Sequence, residues 1–312
     1  MTTPHRFGTA ALVGRPNVGK STLLNRVLGQ KVSITSPKAQ TTRTRVVGIY
    51  TGPNEQIVLL DTPGHHEAWS PMNRSMVRAA EGALAEVDVV VLLVDLEPAA
   101  HQAQADRPVL SVGEEVLLNR VLQEGKPVIL GLNKADAIHP AWALPVIEAW
   151  RAKHDFLAIV PFSARTGLGV KTLLAEIRGA LPEGPQGYNP ELVTDQPERV
   201  IVAELIRERL FHHLQRELPY SIAVEIERFD ESERESDGKV QIFARILVER
   251  ASQLAIVLGK GGSMIKKIGT EARLEINKLL DARAHLELHV TVQPDWTRKP
   301  RQLRELGLPD PS

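Results

Sequence analysis

Up to Leu181 the chain alternates short apolar runs with longer stretches in which apolar residues recur every three to four positions. The runs Thr9–Val13, Val46–Tyr50, Ile57–Leu60, Val87–Val94, Val128–Leu132 and Leu157–Val160 are short and rich in β-branched residues, so they predict strands. The helical spacing predicts helices at Lys20–Leu28, Asn73–Ala85, Gly113–Glu124, Ala141–Arg151 and Val170–Leu181. Residues 97–112 carry no pattern that can be placed. Apolar strands separated by helices imply an α/β fold, a mostly parallel sheet with helices on both faces. Such sheets bind ligands at the carboxyl ends of their strands.

The stretch 182–197 (PEGPQGYNPELVTDQP) holds four prolines and two glycines and reads as a linker. Beyond it the period changes. Glu198–Leu214 predicts an amphipathic helix. Tyr220–Ile226 and Val240–Val248 alternate with period two, placing Ile222, Val224 and Ile226 on one face and Val240, Ile242, Ala244, Ile246 and Val248 on another. The polar stretch Asp230–Gly238 would join them as a hairpin loop. Helices at Ala251–Leu258 and Met264–Leu280 and a strand at Leu286–Val292 complete an α-β-β-α-α-β order. The expected organisation is an α/β domain over 1–181, the linker, and a small α+β domain over 198–312 with a C-terminal tail.

Charge changes this picture in one place. Lys plus Arg and Asp plus Glu each number 38 among 312 residues, so a wholesale polyanion binder is not expected. The second domain is polarised within that zero total. Glu225–Asp237 holds seven acids against two bases, whereas residues 255–304 hold ten bases against five acids. The chain has no cysteine, which excludes disulfides, thiolate zinc sites and a Cys nucleophile. No apolar segment follows a basic start at the N-terminus, so no signal peptide is expected. The longest apolar run, Val87–Val94, is too short to span a bilayer and contains Asp88.

The candidate chemistry begins at Gly14–Ser21. GRPNVGKS fits G-x-x-x-x-G-K-[ST] between a strand and a helix. Its glycines let backbone N–H groups approach phosphate oxygens, and the helix N-terminus adds a favourable dipole. Lys20 would reach the β- and γ-phosphates, and Ser21 would ligate Mg²⁺. Arg15, Pro16, Asn17, Val18 and Gly19, with Thr22 beyond them, complete the candidate phosphate contacts. A plain glycine turn is the bland alternative, and the flanking strand and helix argue against it.

Asn133-Lys134-Ala135-Asp136 follows its own strand at the same sheet edge. Asp136 offers two carboxylate oxygens to the N1–H and exocyclic amine of guanine, a donor pair that adenine lacks. Hydrogen bonds to a charged group contribute about 1.5–3 kcal/mol each, so the discrimination is large. Asp61-Thr62-Pro63-Gly64 ends another strand; Asp61 would hold Mg²⁺ through water and the Gly64 amide would meet the γ-phosphate. Of Thr41 and Thr42, the second is the favoured Mg²⁺ ligand in the GTP state. Ser163-Ala164-Arg165 follows the last strand, and Ser163 and Ala164 would support the base through backbone contacts.

These pieces resemble the translation-factor class of small P-loop GTPases. His65 stands where Ras-like GTPases carry the glutamine that orients water, so slow intrinsic hydrolysis is expected. His65 or His66 could position water, or be an ordinary loop histidine. Asn17 resembles the asparagine of potassium-activated GTPases, in which K⁺ takes the place of an arginine finger. The expected catalytic set is therefore Lys20, Thr42, Gly64, Asn17 and His65, and the expected metal set is Ser21, Thr42 and Asp61.

In the second domain, Gly259-Lys260-Gly261-Gly262 joins two helices and is followed by Lys266 and Lys267. G-x-x-G alone is a weak signal; Gly184–Gly187 matches it inside the linker. The α-β-β-α-α-β context makes the second match the layout of a KH domain, whose loop clamps a nucleic-acid backbone. Small residues permit close approach, and the lysines supply charge toward phosphate. A solvated basic helical turn is the alternative reading.

Taken together, GRPNVGKST, SITSPKAQTTRTR, DTPG and NKAD, followed by ELPYSIAVEIERF, ILVER and HLELHVTV, resemble the Era family of bacterial GTPases over nearly the whole chain. The resemblance implies a KH domain of type II, GTP hydrolysis, and binding to the 3′ end of 16S ribosomal RNA during assembly of the 30S subunit. The expected location is the cytoplasm, with weak peripheral contact to the inner face of the cell membrane as a further expectation, and a monomer is expected. His65 departs from the hydrophobic residue usual in that family, and the segment after DTPG is less basic. GTP is expected to order Lys31–Arg45 and Gly64–Asn73, and these loops to dock or release the KH domain. A constitutive RNA-binding scaffold with a structural nucleotide and a membrane-linked signalling GTPase are the rivals.

Overall fold

The computed structural model describes residues 4–36, 38, 42–63, 82, 84–215 and 218–307. They divide into two compact units. The first runs to Asp195; the second begins at Gln196 and also takes in Ile34, Thr35, Ser36 and Lys38.

The first unit is built on six strands: β1 (Arg6–Gly14), β2 (Val46–Thr51), β3 (Glu55–Asp61), β4 (Val89–Asp95), β5 (Val128–Asn133) and β6 (Ala158–Pro161). Their order is β2-β3-β1-β4-β5-β6. All neighbours are parallel except β2 and β3. Alternate residues of each strand enter different cores. On β1, Ala10 and Leu12 pack with Leu23, Leu24 and Ile177, whereas Ala11 and Val13 pack with Leu117, Leu118 and Trp150. Burial on both faces is why these strands read as unbroken apolar runs. The described helices are α1 (Lys20–Leu28), α2 (Leu96–Gln104), α3 (Val112–Gln123), α4 (Ala143–Arg151) and α5 (Val170–Ala180). The helix expected over 73–85 falls mostly outside the described residues.

Two expectations are corrected here. Residues 97–112 lacked a pattern, yet α2 begins at Leu96 with Asp95 as its cap, the carboxylate accepting from the Glu97 N–H at 3.2 Å. Only Leu96, Ala99 and Ala100 of α2 are buried, so its apolar stripe is too narrow to register. Ser111 and Glu114 form a capping box at the start of α3, a signature legible as S-x-x-E. The segment read as a linker is fastened to the sheet as far as Asp195. Ile49 N–H donates to the Val193 carbonyl at 2.8 Å, and the Thr194 hydroxyl donates to the Val47 carbonyl at 2.6 Å. The fully buried Gln56 side-chain oxygen accepts from the Gly187 and Tyr188 N–H groups at 2.9 and 2.8 Å. Backbone groups make most of these bonds, so the composition gives no sign of them.

The second unit has strands β7 (Ala223–Asp230), β8 (Lys239–Val248) and β9 (Arg283–Val292) in the order β7-β8-β9, the first pair antiparallel and the second parallel. Its helices are α6 (Glu198–His213), α7 (Ala251–Leu258), α8 (Ser263–Leu280) and the short C-terminal α9 (Pro300–Glu305). Val240, Ile242, Ala244, Ile246 and Val248 form the expected buried face of β8 and pack with Leu205, Ile268, Ala272 and Ile276. The polar segment between β7 and β8 carries one helical turn, Arg234–Asp237, in which Arg234 donates to Glu198 at 2.6 Å and to Glu231 at 2.5 Å. The tail is ordered through Trp296, fully buried, whose indole N–H donates to the Ser221 carbonyl at 3.0 Å.

α6 is not amphipathic in the expected way, because it is buried around most of its circumference. Arg207 and Glu208 are buried along with Ile201, Val202, Leu205, Ile206, Leu210 and Phe211. Within this unit the Glu208 carboxylate accepts from the Thr35 N–H at 2.8 Å, and Lys38 donates to the carbonyls of Phe211 and Leu214. A cation on the last carbonyls of a helix is favourable to its dipole. Polar residues on a helix face therefore marked buried partners here, not solvent.

Candidate functional site

The carboxyl ends of β1, β3 and β5, and the turn after β6, deliver the expected motifs to one sheet edge. Gly14 closes β1; a Cβ there would lie 2.7 Å from the Leu93 carbonyl oxygen. Gly19 sits at φ 101°, and a Cβ would lie 2.2 Å from the Asn133 amide nitrogen. Both positions therefore require glycine. No side chain caps the start of α1, which leaves its first-turn N–H groups open to an anion. Lys20 is buried and donates to the carbonyls of Gly14 and Arg15 at 3.0 and 3.1 Å. Burial pulls its ammonium down to about 8, against the opposing effect of Asp61. Val18 is a core residue by its side chain, and Arg15 and Asn17 are exposed.

Asp61 is fully buried at the end of β3. One carboxylate oxygen accepts from Ser21 at 2.6 Å, Ser33 at 2.9 Å and Thr42 at 3.4 Å. The other is buried with no hydrogen-bond partner among the described residues. Burial pushes this carboxyl up, while Lys20 and the three hydroxyls hold it down. The Ser21 and Thr42 hydroxyl oxygens lie 3.1 Å apart. An orphaned carboxylate oxygen beside two hydroxyls is a set of hard oxygen donors, which fits Mg²⁺. Ser33 was not foreseen. Asn25 holds it, accepting from the Val32 and Ser33 N–H groups at 3.0 Å and donating to the Ser33 carbonyl at 2.7 Å. No motif in the sequence marks this pair. Gly64 and His65, both expected here, lie outside the described residues, as do Thr41 and His66.

On the other side, Asn133 ends β5 and ties two loops together. Its amide donates to the Val18 carbonyl at 2.7 Å, and its oxygen accepts from the Ala164 N–H at 2.9 Å. Lys134 takes left-handed backbone at φ 67°, and its ammonium pairs with Asp95. Asp136 projects from the turn Ala135–Ala137 and accepts from Arg165 at 2.5 Å. A hydrogen bond from the Ser163 hydroxyl, with a further contribution from Arg165, holds the Asp136 carboxyl below the usual range. Arg26 donates to the Ala164 carbonyl at 3.1 Å and fixes the backbone of that loop. A carboxylate whose neighbours are braced in this way suits a planar edge bearing two N–H donors.

The second unit brings its glycine loop to the junction of α7 and α8. Gly259 has φ 71°, and a Cβ there would come within 2.7 Å of Met264 Cβ and 2.9 Å of its backbone N. Gly261 and Gly262 are left-handed at φ 60° and 77°, and nothing lies within 4 Å of a Cβ at either. That open space admits a close-approaching backbone. No side chain caps the start of α8. Lys260, Lys266 and Lys267 are all exposed around this loop. Uncapped N–H groups and three cations together suit phosphate oxygens.

Comparison with known proteins agrees with both halves. A family model described as a 50S ribosome-binding GTPase matches residues 9–134, and a KH domain model matches residues 217–297. The chain is similar to GTPase Era of Geobacter metallireducens, at 46% identity over 97% of this chain and 98% of that protein. It is 42% identical to GTPase Era of Lactobacillus delbrueckii subsp. bulgaricus over 98% of this chain and 97% of that one. Among solved structures it is similar to a single-substitution variant of Aquifex aeolicus Era bound to GDP·AlF4⁻, and to Era in complex with MgGDPNP and nucleotides 1506–1542 of 16S ribosomal RNA. Each has a TM-score of 0.88 at 40% identity, covering 97% of this chain and 99% of the other. With the phosphate-loop motif at the sheet edge, a KH-type loop on the second unit and relatives matched over 97–98% of the chain, the chain belongs to the Era family of GTPases.

Proposed function

We propose that this chain is a Mg²⁺-dependent GTP-hydrolysing switch that binds small-subunit ribosomal RNA near its 3′ end and acts in assembly of the 30S subunit. The observation that carries the reading is the Asp61 cluster, where Ser21 and Thr42 meet a buried carboxylate with one oxygen left unpartnered among the described residues. Ser21, Thr42 and Asp61 would hold Mg²⁺, which supplies charge neutralisation across the phosphates. Gly14 to Thr22 would cradle the phosphates, Lys20 exchanging its loop carbonyls for phosphate oxygens. Asn133, Lys134, Asp136, Ser163 and Ala164 would hold guanine. Asn17, exposed beside the phosphate loop, would admit K⁺ as the counter-charge for hydrolysis. Turnover is expected to rise several-fold when K⁺ replaces Na⁺ at equal ionic strength; equal turnover in the two buffers removes K⁺ from the mechanism.

Gly259, Lys260, Gly261, Gly262, Lys266 and Lys267 would clamp the RNA backbone. The relative crystallised with 16S nucleotides 1506–1542 supports that partner. If GTP changes the affinity for RNA, linkage requires RNA to change the affinity for GTP by the same factor. The test is titration of a labelled RNA copying the 3′ end of 16S RNA, at fixed salt, with a non-hydrolysable GTP analogue and with GDP. Tighter binding with the analogue is expected. Equal affinity removes the switch and favours a scaffold.

No helix among the described residues is long and apolar enough to cross a membrane. We place the protein in the cytoplasm with its RNA, as a monomer, with the basic helix α8 as the support for weak contact with anionic lipid. Co-sedimentation with anionic vesicles checks that contact.

A further inference from the structure

The Asp136 carboxylate does not wait bare for guanine. The Arg165 guanidinium donates to it at 2.5 Å, from a side chain that is itself 79% exposed, while the carboxylate side chain is only 14% exposed. Guanine's recognition edge, N1–H, C2 and its amine, is an N–C–N fragment with two outward N–H donors. A guanidinium presents the same fragment. Arg165 therefore offers Asp136 a chemical copy of the ligand edge, reaching one carboxylate oxygen through one of its N–H groups beside the hydrogen bond from Ser163.

The surrounding bonds confine any movement to this one side chain. The Arg165 carbonyl accepts from Arg26, the Ala164 carbonyl accepts from Arg26 at 3.1 Å, and the Ala164 N–H is held by Asn133 at 2.9 Å. The loop backbone is braced at both residues, and the arginine side chain makes one exposed contact, to Asp136.

We propose that Arg165 is a self-cap on the base site, an internal competitor that guanine must displace before Asp136 can read it. The inference rests on the assignment of Asp136 to guanine. Its consequence is kinetic. Only the uncapped fraction is competent to bind, so the apparent affinity falls by that fraction. An exposed ion pair is weak, which limits the effect to roughly two- to fivefold. The cap also gives the carboxylate a charged partner, beside Ser163, whenever nucleotide has left, which makes the empty state easier to populate.

The experiment is stopped-flow binding of fluorescently labelled GDP to the full-length, nucleotide-free protein with Mg²⁺. Arg165→Ala removes the cap; the side chain is exposed, so the fold is not at stake. The variant is expected to associate roughly two to five times faster, with an unchanged dissociation rate. Because salt screens the pair, the gap between variant and wild type should shrink as KCl is raised toward about 1 M. Arg165→Lys, with a compact ammonium in place of the planar fork, should fall between the two. An unchanged or slower association rate for Arg165→Ala overturns the cap. So does faster dissociation, which would mean that Arg165 supports the bound base instead. Failure of the underlying assignment looks different: Asp136→Asn would then bind GDP as tightly as the wild type, whatever stands at position 165.

Discussion

Asp136→Asn is expected to bind GDP roughly 100-fold more weakly than the wild type and to gain affinity for xanthosine diphosphate. Guanine offers two donors to the carboxylate. An asparagine amide accepts from N1–H but opposes its own NH₂ to the guanine amine. Losing about 3 kcal/mol of charged hydrogen bonding corresponds to that factor. Xanthine carries a carbonyl where guanine carries the amine, so the asparagine NH₂ regains a partner. The substitution is nearly isosteric in a three-residue turn, and Asn133 and Arg26 brace the neighbouring loop independently. Paired titrations with labelled GDP and XDP measure the exchange of preference. A variant that keeps its guanosine preference takes Asp136 out of the base site.

The second large effect belongs to the other unit. Gly261→Asp together with Gly262→Asp should weaken RNA binding by roughly two orders of magnitude and leave GDP binding unchanged. Both glycines are left-handed, a conformation that aspartate tolerates better than most residues. Neither new Cβ meets an atom within 4 Å, so the loop accommodates the pair without rebuilding. What changes is the field: two carboxylates stand where phosphate is expected, among Lys260, Lys266 and Lys267. Gly261→Asn with Gly262→Asn separates charge from shape and should lose much less. RNA titration at constant salt, alongside GDP titration of the same preparations, reads both quantities. Retained RNA binding by the aspartate pair means that the loop is not the clamp.

The parts that the sequence made legible share a physical cause. Gly14, Gly19 and Gly259 are required by contacts under 3 Å that any side chain would violate, so they appear as fixed spacings. The β8 face shows as strict alternation because one side of that strand packs wholly into the core. The parts that were not legible depend on long-range hydrogen bonds. Ser33 reaches Asp61 across 28 positions, and Asn25 places it through backbone atoms that carry no residue signature. Arg165 belonged to a recognisable tripeptide, but its pairing with Asp136 across 29 positions is visible only in the fold. The charged positions of α6 gave no sign of their partners, because charge on a helix usually means solvent, and here Glu208 meets Thr35 and Arg207 meets Glu204.

The fastening of residues 182–195 bears on how the protein can be cut into parts. β2 is an edge strand, and Val193 and Thr194 are what occupy its outer hydrogen-bonding groups at Ile49 and Val47. A fragment ending at Leu181 would present that edge unpaired and leave the buried Gln56 amide without its partners at Gly187 and Tyr188. Exposed strand edges recruit other strands, so such a fragment should self-associate, whereas one ending at Asp195 should stay dispersed. What looks by composition like a dispensable tether is the selvedge of the first unit's sheet.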